Sequence, residues 1–447
     1  MSIVPAPDPQ TRSETLDAIE QFLMELIALC VPSSPPAGGR GRPRILPSLC
    51  LWSGVVLCVL RGLGSQRDIW RLLAKSNLWD YPRFTVSDQA VYTRLANGGT
   101  GPLETLLDQI SAVLRDRLAP LVTRDLAPFA TEVVALDETT LEQVSNRLPS
   151  VRAVPPGDKA RIPGKLAGMF DIRRQQWRAV SLTEDWHENE KVRGRLLIPA
   201  LPAGSLVLAD LGYFAFAWFD ELADAGRTWI SRFRARTSSK RIHTYYEDGD
   251  TLDALVWLGA YRADRTKHAV RLMQFRQKTV LHRYIANMVD PQVLPLQMIA
   301  ELYARRWDFE LAVDLIKTQE GVHLLWSSKP VVVQQQVLAA LIIAQILQAL
   351  RIEAAVRAGV DTFEVSMRLL IRYLPFYAQQ STDPIGAFLA CARETGCIRP
   401  SKRTIIQTPA IDLLEFRPLP PDLVLVRTPK YAQRKCGPVA DRNRTMN

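Results

Sequence analysis

The sequence predicts a mixed α/β protein whose N-terminal region is helical. Residues 13–30 have the apolar spacing of an amphipathic helix, and residues 45–125 contain several further helical segments. From about residue 131, apolar β-branched runs alternate with helical segments, as in a mixed sheet that carries helices on its faces. Residues 241–290 contain β-prone stretches joined by turn residues, so we expect a β-rich insertion there.

The N-terminal region, residues 1–125, is predicted to form a helical domain. Residues 32–44 are rich in Pro, Gly and Arg, which predicts a flexible basic linker. In the segments 64–76 and 86–98, a polar cap precedes each helix and Arg or Tyr lies on the outer face. This pattern is typical of a small DNA-binding module, although a plain helical bundle fits it equally well.

The predicted core begins at residue 126 and runs in the order strand, hairpin, helix, strand, helix, strand. Its first strand is the run 132–141, and the segments 165–174 and 177–184 are close enough to predict the hairpin. The other elements are expected at 187–201, 205–214, 215–225 and 228–235. The first part of the core therefore covers 126–240, and after the insertion it resumes over 291–380, followed by a basic tail at 381–447.

The charge of the chain favours a polyanionic partner. The 447 residues carry a formal net charge of +10, and most of the positive side chains are arginine, which suits phosphate contacts. A solvated basic surface is the alternative. The six cysteines form no CxxC pair and have no histidine at zinc spacing, so we expect neither a disulfide framework nor a zinc site, and a reducing cytoplasm.

Two apolar runs, 45–60 and 337–350, raise the question of a membrane. Both are shorter than the ~18–20 apolar residues that a spanning helix needs, and the second contains glutamines. We therefore expect two buried helices and no membrane partner. The N-terminus shows neither the charged nor the apolar region of a signal peptide.

Two aspartates, Asp137 and Asp210, are expected at the ends of apolar strands. A carboxylate next to a buried strand is costly unless it is paired or binds a cation. In an open α/β sheet, ligands bind at the carboxyl ends of strands. Each aspartate could instead cap a helix or turn, because Asp137 precedes a helix-compatible segment and Asp210 precedes a glycine turn.

A third acid, Glu310, lies in a predicted helix among basic and aromatic residues. At 3.6 residues per turn, Tyr303, Arg306, Glu310 and Lys317 fall within roughly 60° of arc. An ordinary salt-bridged helix face would explain this pattern as well. The helix lies between buried segments, however, which favours a charged face that contacts a ligand.

Three carboxylates suit a hard divalent cation, which prefers oxygen ligands. Two Mg²⁺ ions can activate the attacking oxygen and stabilise the leaving oxygen of a phosphodiester. In that arrangement Tyr303, Arg306 and Lys317 would hold the phosphates of the DNA strand.

These motifs resemble those of the DDE transposases of the insertion-sequence-four family. The signature Y-x2-R-x3-E-x6-K is matched by Tyr303, Arg306, Glu310 and Lys317. The motif D-x-G-[FY] is matched by Asp210, Gly212 and Tyr213, and the first aspartate motif by Asp137. The resemblance covers roughly residues 130–350, including the β-rich insertion.

The resemblance implies a ribonuclease-H-like catalytic core and a DNA transposase. It implies Mg²⁺-dependent cleavage at the inverted-repeat ends of an insertion sequence and strand transfer into target DNA, with Mn²⁺ able to substitute. Hairpin ends are a possible intermediate of this cut-and-paste reaction. The expected partners are double-stranded DNA and, in the DNA complex, a second copy of the chain, in a bacterial-type cytoplasm and associated with the nucleoid.

Three further residues are expected to contact DNA. Trp257, in the insertion, is a candidate for stacking on a flipped base, although packing within the β-rich region is the simpler explanation. Arg232 and Arg234 are expected on one face of the strand after Asp210 and could add phosphate contacts, or lie on the surface without a role. Asp314 departs from the family pattern, which has a basic residue there in several relatives.

Two other functions are compatible with this pattern. One is a catalytically inactive, sequence-specific DNA-binding protein derived from a transposase. The other is a general nuclease of similar fold. The presence of all three acids argues against the first, because no structural need explains them together.

Overall fold

The computed structural model describes residues 17–427, apart from 31–44, 77, 80, 123–124, 142–163, 186, 260–264, 320–324, 328, 402 and 404. The predicted linker 32–44 and the last part of the predicted tail lie outside the described residues. The chain divides into two compact units. The first unit comprises residues 1–124, 135–200 and 307–404, and the second comprises 125–134, 201–306 and 405–447.

The first unit is mainly helical. Numbered along the whole chain, its helices are α1 (Asp17–Cys30), α2 (Ser48–Leu60), α3 (Gln66–Ala74), α4 (Asp88–Asn97), α5 (Gly101–Leu118), α6 (Glu190–Leu197), α9 (Asp308–Asp314), α10 (Pro330–Ala358), α11 (Met367–Gln380) and α12 (Pro384–Ala390). Ser65 and Ser87 cap α3 and α4 by accepting the backbone N–H of the residue three positions on. The helices predicted at 64–76 and 86–98 are thus confirmed.

Helix α10 lies in the core of the first unit. It is long and apolar enough to cross a membrane by length and composition, yet 83% of its most apolar stretch is buried within the protein. Helix α2 is likewise buried along most of its length. The predictions that 45–60 and 337–350 form buried helices are confirmed.

Three strands belong wholly or mostly to the first unit, in the order β3-β2-β1. These are β1 (Val133–Thr140), β2 (Lys165–Asp171) and β3 (Gln176–Thr183). Strands β2 and β3 pair antiparallel, which confirms the predicted hairpin. Gln345 of α10 accepts the Trp177 N–H at 2.8 Å and donates to the Trp177 carbonyl at 3.0 Å, so the core helix bonds directly to β3.

The second unit contains the start of β1 and six further strands, in the order β1-β4-β5-β9-β8-β7-β6. They are β4 (Leu206–Ala209), β5 (Thr228–Arg232), β6 (Ser239–Asp248), β7 (Thr251–Leu258), β8 (Val270–Gln277) and β9 (Val280–Ala286), with helices α7 (Phe216–Asp224) and α8 (Leu296–Arg305). Strands β4 and β5 are parallel, whereas β5 and β9 are antiparallel. The sheet is therefore mixed, and the predicted α/β class and the β-rich segment 241–290 are confirmed.

The prediction of one continuous helix through residues 303–317 is wrong. Helix α8 ends at Arg305, and after a turn at Arg306 and Trp307 α9 begins at Asp308. The Arg306 N–H reaches back only three residues, to the Tyr303 carbonyl at 3.2 Å. Residues Leu315–Gln319 then form a π-helix. Both features depart from 3.6 residues per turn, so the sequence spacing does not place the four signature side chains on one helical face.

Two smaller expectations about strand ends are also corrected. Asp137 does not close its strand, because β1 continues through Thr140, and the residues just after Asp137 are therefore strand and not a helix that it could cap. Strand β5 ends at Arg232, so Arg234 lies beyond the strand and does not share a strand face with Arg232.

The bond between α10 and the hairpin yields a stability prediction. Replacing Gln345 by Leu would leave the buried Trp177 N–H and carbonyl without their partner. We expect Gln345→Leu to lower the free energy of unfolding by roughly 2–4 kcal/mol, measured by urea unfolding, because each orphaned buried group costs about 1–3 kcal/mol. The control is Gln89→Leu on the exposed side of α4. Equal stability of the two variants would contradict the prediction.

Candidate active site

Asp137 lies in the first unit, on a strand that is otherwise buried. Its side chain is 7% exposed, and Oδ1 accepts the N–H of Glu138 at 2.8 Å. The side chain of Glu138 points to the other face and pairs with Lys165 of β2 at 2.6 Å. Strand alternation thus places Thr139 on the same face as Asp137 and gives Glu138 a structural partner.

Lys317 lies next to this strand. Its Nζ donates to the Thr139 hydroxyl oxygen at 2.9 Å. Because Thr139 is two residues after Asp137, the lysine reaches the face of β1 that carries the first aspartate. Lys317 belongs to the π-helix that follows α9, the helix of Glu310.

Glu310 is half-buried on α9. Among the residues that the structure describes, no side chain or backbone group bonds to its carboxylate. The preceding residue, Phe309, is fully buried and packs edge-on against Trp177 with ring centroids 5.1 Å apart. The acid is therefore carried by a helix that is fixed to the hairpin, while its carboxylate stays available for a ligand.

Asp210 lies in the second unit, directly after β4. It caps the short 3₁₀-helix Leu211–Tyr213, and its Oδ1 accepts the N–H of Gly212. The turn-capping alternative for Asp210 is thus realised in the structure. A cap uses one carboxylate oxygen, so it is compatible with a further ligand on the same group.

Tyr303 forms the centre of a cluster in the second unit. It is 4% exposed, its ring centroid lies 5.1 Å from that of Tyr284, and the guanidinium carbon of Arg232 lies 5.4 Å from its ring centroid. Burial raises the pKa of Tyr303 to about 12, against the opposing effect of Arg306 and Arg232, and the charge of Asp210 raises it further. The phenol is therefore a neutral hydrogen-bond donor close to Asp210.

Two more arginines belong to this part of the second unit. Arg234 donates to the carbonyl of Leu211 at 3.3 Å, and its guanidinium carbon lies 5.3 Å from the Phe214 ring centroid. Arg306 is buried and interacts electrostatically with Tyr303. Asp210, Arg306 and Arg232 therefore all lie close to Tyr303, and Arg234 contacts the turn that follows Asp210.

Trp257 has a specific partner in the second unit. It is half-buried on β7, and the guanidinium carbon of Arg427 lies 4.7 Å from its ring centroid. Arg427 also donates to the carbonyls of Thr266 and Leu258. A contact from the predicted tail thus covers at least one face of the indole.

The nine predicted residues divide between the units. Asp137, Glu310 and Lys317 belong to the first unit; Asp210, Arg232, Arg234, Trp257, Tyr303 and Arg306 belong to the second. The three acids offer carboxylate oxygens, the donor type that Mg²⁺ prefers. In the part of the chain that the structure describes, no three His, Cys, Asp or Glu side chains are gathered as a metal site. The donor chemistry of the three acids fits a divalent ion.

Comparison with known proteins identifies the segment that carries these residues. Residues 128–346 match the family model described as the transposase DDE domain, which is just under half of the chain. No curated protein matches the chain. Among solved structures, the chain is similar to the piggyBac transposase synaptic complex with hairpin DNA, at 11% identity and a TM-score of 0.37, with 88% of this chain and 86% of that chain covered.

All nine predicted residues lie inside the matched segment 128–346, but some of their partners were missed. Thr139 could have been found from the alternation of β1, since it follows Asp137 by two positions. Asp308 lies outside the Y-x2-R-x3-E-x6-K spacing and was not singled out, yet it is 1% exposed. Its partners, Gln175 and Arg403, are distant in sequence, and no local pattern signals them.

The raised pKa of Tyr303 predicts a pH dependence of stability. Tyrosine in an unfolded chain ionises near pH ~10, whereas burial raises the pKa of Tyr303 to about 12. The stabilising contribution is therefore fully present below pH ~10 and is lost as the pH rises through about 12. We expect Tyr303→Phe to flatten the fall of the unfolding free energy over this range, measured by urea unfolding at several pH values. A variant that loses stability as steeply as the wild type would contradict this.

Proposed function

We propose that the chain is a DNA transposase that cleaves DNA at the ends of a mobile element, with Asp137, Asp210 and Glu310 as its catalytic acids. The observation that carries the proposal is the match of residues 128–346 to the transposase DDE domain, since this segment contains all three acids. The unbonded carboxylate of Glu310 within the described structure supports it. The core would be ribonuclease-H-like, as the motif resemblance implies.

The three acids would hold two Mg²⁺ ions, with Mn²⁺ able to substitute. Divalent ions bound there would polarise the scissile phosphate and lower the pKa of the attacking water. The ligand type supports this assignment, because all three side chains offer hard oxygen donors.

The chain's own basic and phenolic groups would position the DNA strand. Lys317, next to β1, is a cation that can contact a phosphate beside Asp137. Tyr303 remains protonated at any physiological pH and can donate a hydrogen bond to a phosphate oxygen. The exposed Arg232 and Arg234 extend this basic surface near Asp210, and Arg306 supplies a further guanidinium there.

Several finer features belong to the same proposal. The 3′-hydroxyl released by cleavage would attack target DNA, and hairpin ends would form if it first attacked the opposite strand, with Trp257 stacking on a flipped base. Two copies of the chain would act together on two ends in a nucleoid-associated complex. Residues 1–125 would supply DNA binding, and 241–290 and 381–447 would be the insertion and the basic tail that flank the core.

The catalytic assignment predicts loss of cleavage in three variants. The substrate is DNA that carries the inverted repeats flanking the gene. We expect Asp137→Asn, Asp210→Asn and Glu310→Gln each to reduce its Mg²⁺-dependent cleavage to the background rate, because each substitution removes a metal-binding charge. Binding of the same DNA, measured by gel shift, should persist. Asp314→Asn, on the exposed side of α9 one turn after Glu310, is the matched control and should cut normally.

The same experiment separates the competing functions. Cleavage by all three variants at the wild-type rate would contradict the assignment of these acids as catalytic. A wild-type chain that binds the repeats but nicks nothing with Mg²⁺ or Mn²⁺ would instead be an inactive, transposase-derived DNA-binding protein. Cleavage of unrelated DNA at equal rates would indicate a general nuclease. A denaturing gel of the cleaved ends tests the hairpin, which would run as a strand of double length.

The positioning residues predict a change in salt dependence. Removing one side chain that binds a phosphate should reduce the slope of log affinity against log salt by about one unit. We expect Lys317→Met and Arg232→Gln each to show this reduction in binding to the end DNA. Arg276→Gln is the control, because this exposed arginine is already paired with Asp250 at 2.7 Å. Slopes equal to that of the control would contradict phosphate binding at either position.

A further inference from the structure

We propose that Asp308 and Arg403 form a positioning pair that fixes helix α9 and thereby the direction of Glu310. This inference rests on the proposed function, because it assigns to two further residues a role in setting a catalytic acid. It also extends the functional region beyond the matched DDE domain, since Arg403 lies after residue 346. All the contacts that support it lie within the first unit.

Asp308 is a buried acid whose two carboxylate oxygens each have a strong partner. Arg403 donates from Nη2 to Oδ1 at 2.5 Å, and Gln175 donates from Nε2 to Oδ2 at 2.8 Å. The Asp308 side chain is 0% exposed. A buried carboxylate without its cation would remain as an uncompensated charge, so the position of Asp308 depends on Arg403.

The partners of Asp308 are themselves held in place. Gln175 lies in the turn of the β2–β3 hairpin with φ of 50°, a left-handed conformation that a non-glycine residue adopts only when its surroundings fix it. The same Nε2 also donates to the Ile172 carbonyl at 2.8 Å. The guanidinium carbon of Arg403 lies 4.0 Å from the Phe363 ring centroid. Asp308 therefore binds two groups that cannot easily follow it if it moves.

A second guanidinium faces the same buried acid. Arg351 of α10 donates from Nε to the Val365 carbonyl at 2.9 Å, and its guanidinium carbon lies 4.8 Å from the Phe363 ring centroid. Burial lowers the pKa of Arg351 to about 10, and the charges of Asp361 and Asp308 oppose this shift. The buried Asp308 thus lies near two arginines that pack on Phe363, and Asp361 adds a second negative charge near Arg351.

Helix geometry connects this pair to Glu310. Asp308 and Glu310 are two residues apart, so their side chains point about 200° apart around α9. The intervening Phe309 is fully buried against Trp177. The inner side of α9 is thus fixed by an ion pair and an aromatic contact, while Glu310 is presented on the other side. Asp308 also lies in the first turn, where a negative charge stabilises a helix.

The test compares cleavage, DNA binding and local opening in the full-length protein. We expect Arg403→Met to reduce the rate of Mg²⁺-dependent end cleavage by roughly 10–100-fold, the usual effect of removing a residue that orients a metal ligand. The affinity for the end DNA should stay within about twofold, because Arg403 is not proposed to bind DNA. Amide hydrogen exchange of residues 308–314 should become faster. Arg403→Lys, which keeps the charge, should recover part of the cleavage rate and part of the protection from hydrogen exchange.

The control is Arg357→Met in the same unit. Arg357, on α10, also pairs with an aspartate, Asp383, which directly precedes α12. Unlike the pair of Asp308 and Arg403, this pair is exposed. It should change neither cleavage nor exchange in α9. Asp308→Asn keeps a hydrogen-bond acceptor for Gln175 but removes the negative charge. The double variant Asp308→Asn/Arg403→Met should lose less cleavage activity than the sum of the losses in the two single variants.

Three outcomes would overturn the inference. Wild-type cleavage by Arg403→Met would exclude a positioning role, and so would an equal loss in Arg357→Met. Unchanged exchange at 308–314 in Arg403→Met would show that Arg403 does not hold α9, whatever the activity. If the wild-type chain cuts no end DNA while exchange responds as expected, the proposed function fails and the pair retains only a structural role.

Discussion

The first unit depends on a few hydrogen bonds made by glutamines inside its apolar core helix. Gln345 of α10 bonds to both backbone groups of Trp177, and Gln335 donates to the carbonyls of Leu95 and Gly99. A buried amide is stable only when its partners are present, so these bonds fix which segments pack on α10. Trp177 then supports Phe309, the neighbour of Glu310. The position of Glu310, a candidate catalytic acid, therefore depends through Phe309 and Trp177 on the buried hydrogen bonds of Gln345.

Acids that are close in sequence point to different sides of the strand or helix that carries them. On β1, alternation sends Glu138 to Lys165 and leaves Asp137 on the face that Lys317 reaches. On α9, the helical turn sends Asp308 into an ion pair and leaves Glu310 without a bonding partner in the described structure. In both cases neighbouring acids lie on different sides of their element, and one of them, Glu138 or Asp308, forms an ion pair. This separation is what a metal-dependent site requires of the chain, because a carboxylate neutralised by arginine or lysine is a poor ligand.

Local patterns predicted the elements, and long-range contacts decided the details. Serine caps, the hairpin and the alternating strands of 241–290 are all short-range signals, and each was found from the sequence. The motif spacing also selected acids inside the segment that matches the DDE domain. What the spacing could not show is the turn at Arg306, because it assumes one uniform helix. Nor could it show that Asp308 is buried, since its arginine lies 95 residues away. A charged side chain can be buried only where a partner neutralises it, and sequence periodicity does not reveal a partner that is distant in the chain.

The positive charge of the chain has two separate uses, which the net value alone conceals. Arg271 is fully buried and pairs with Asp253 at 2.5 Å, and Arg403 neutralises Asp308. Arg427, from a region predicted as a basic tail, stacks on Trp257. Arg271 and Arg403 are therefore neutralised by their aspartates, and Arg427 is occupied by carbonyl and ring contacts within the protein. The exposed Arg232 and Arg234 are different, because their charges face solvent near Asp210. Among the exposed arginines, Arg232 and Arg234 are therefore the ones whose charge a polyanion near Asp210 would meet.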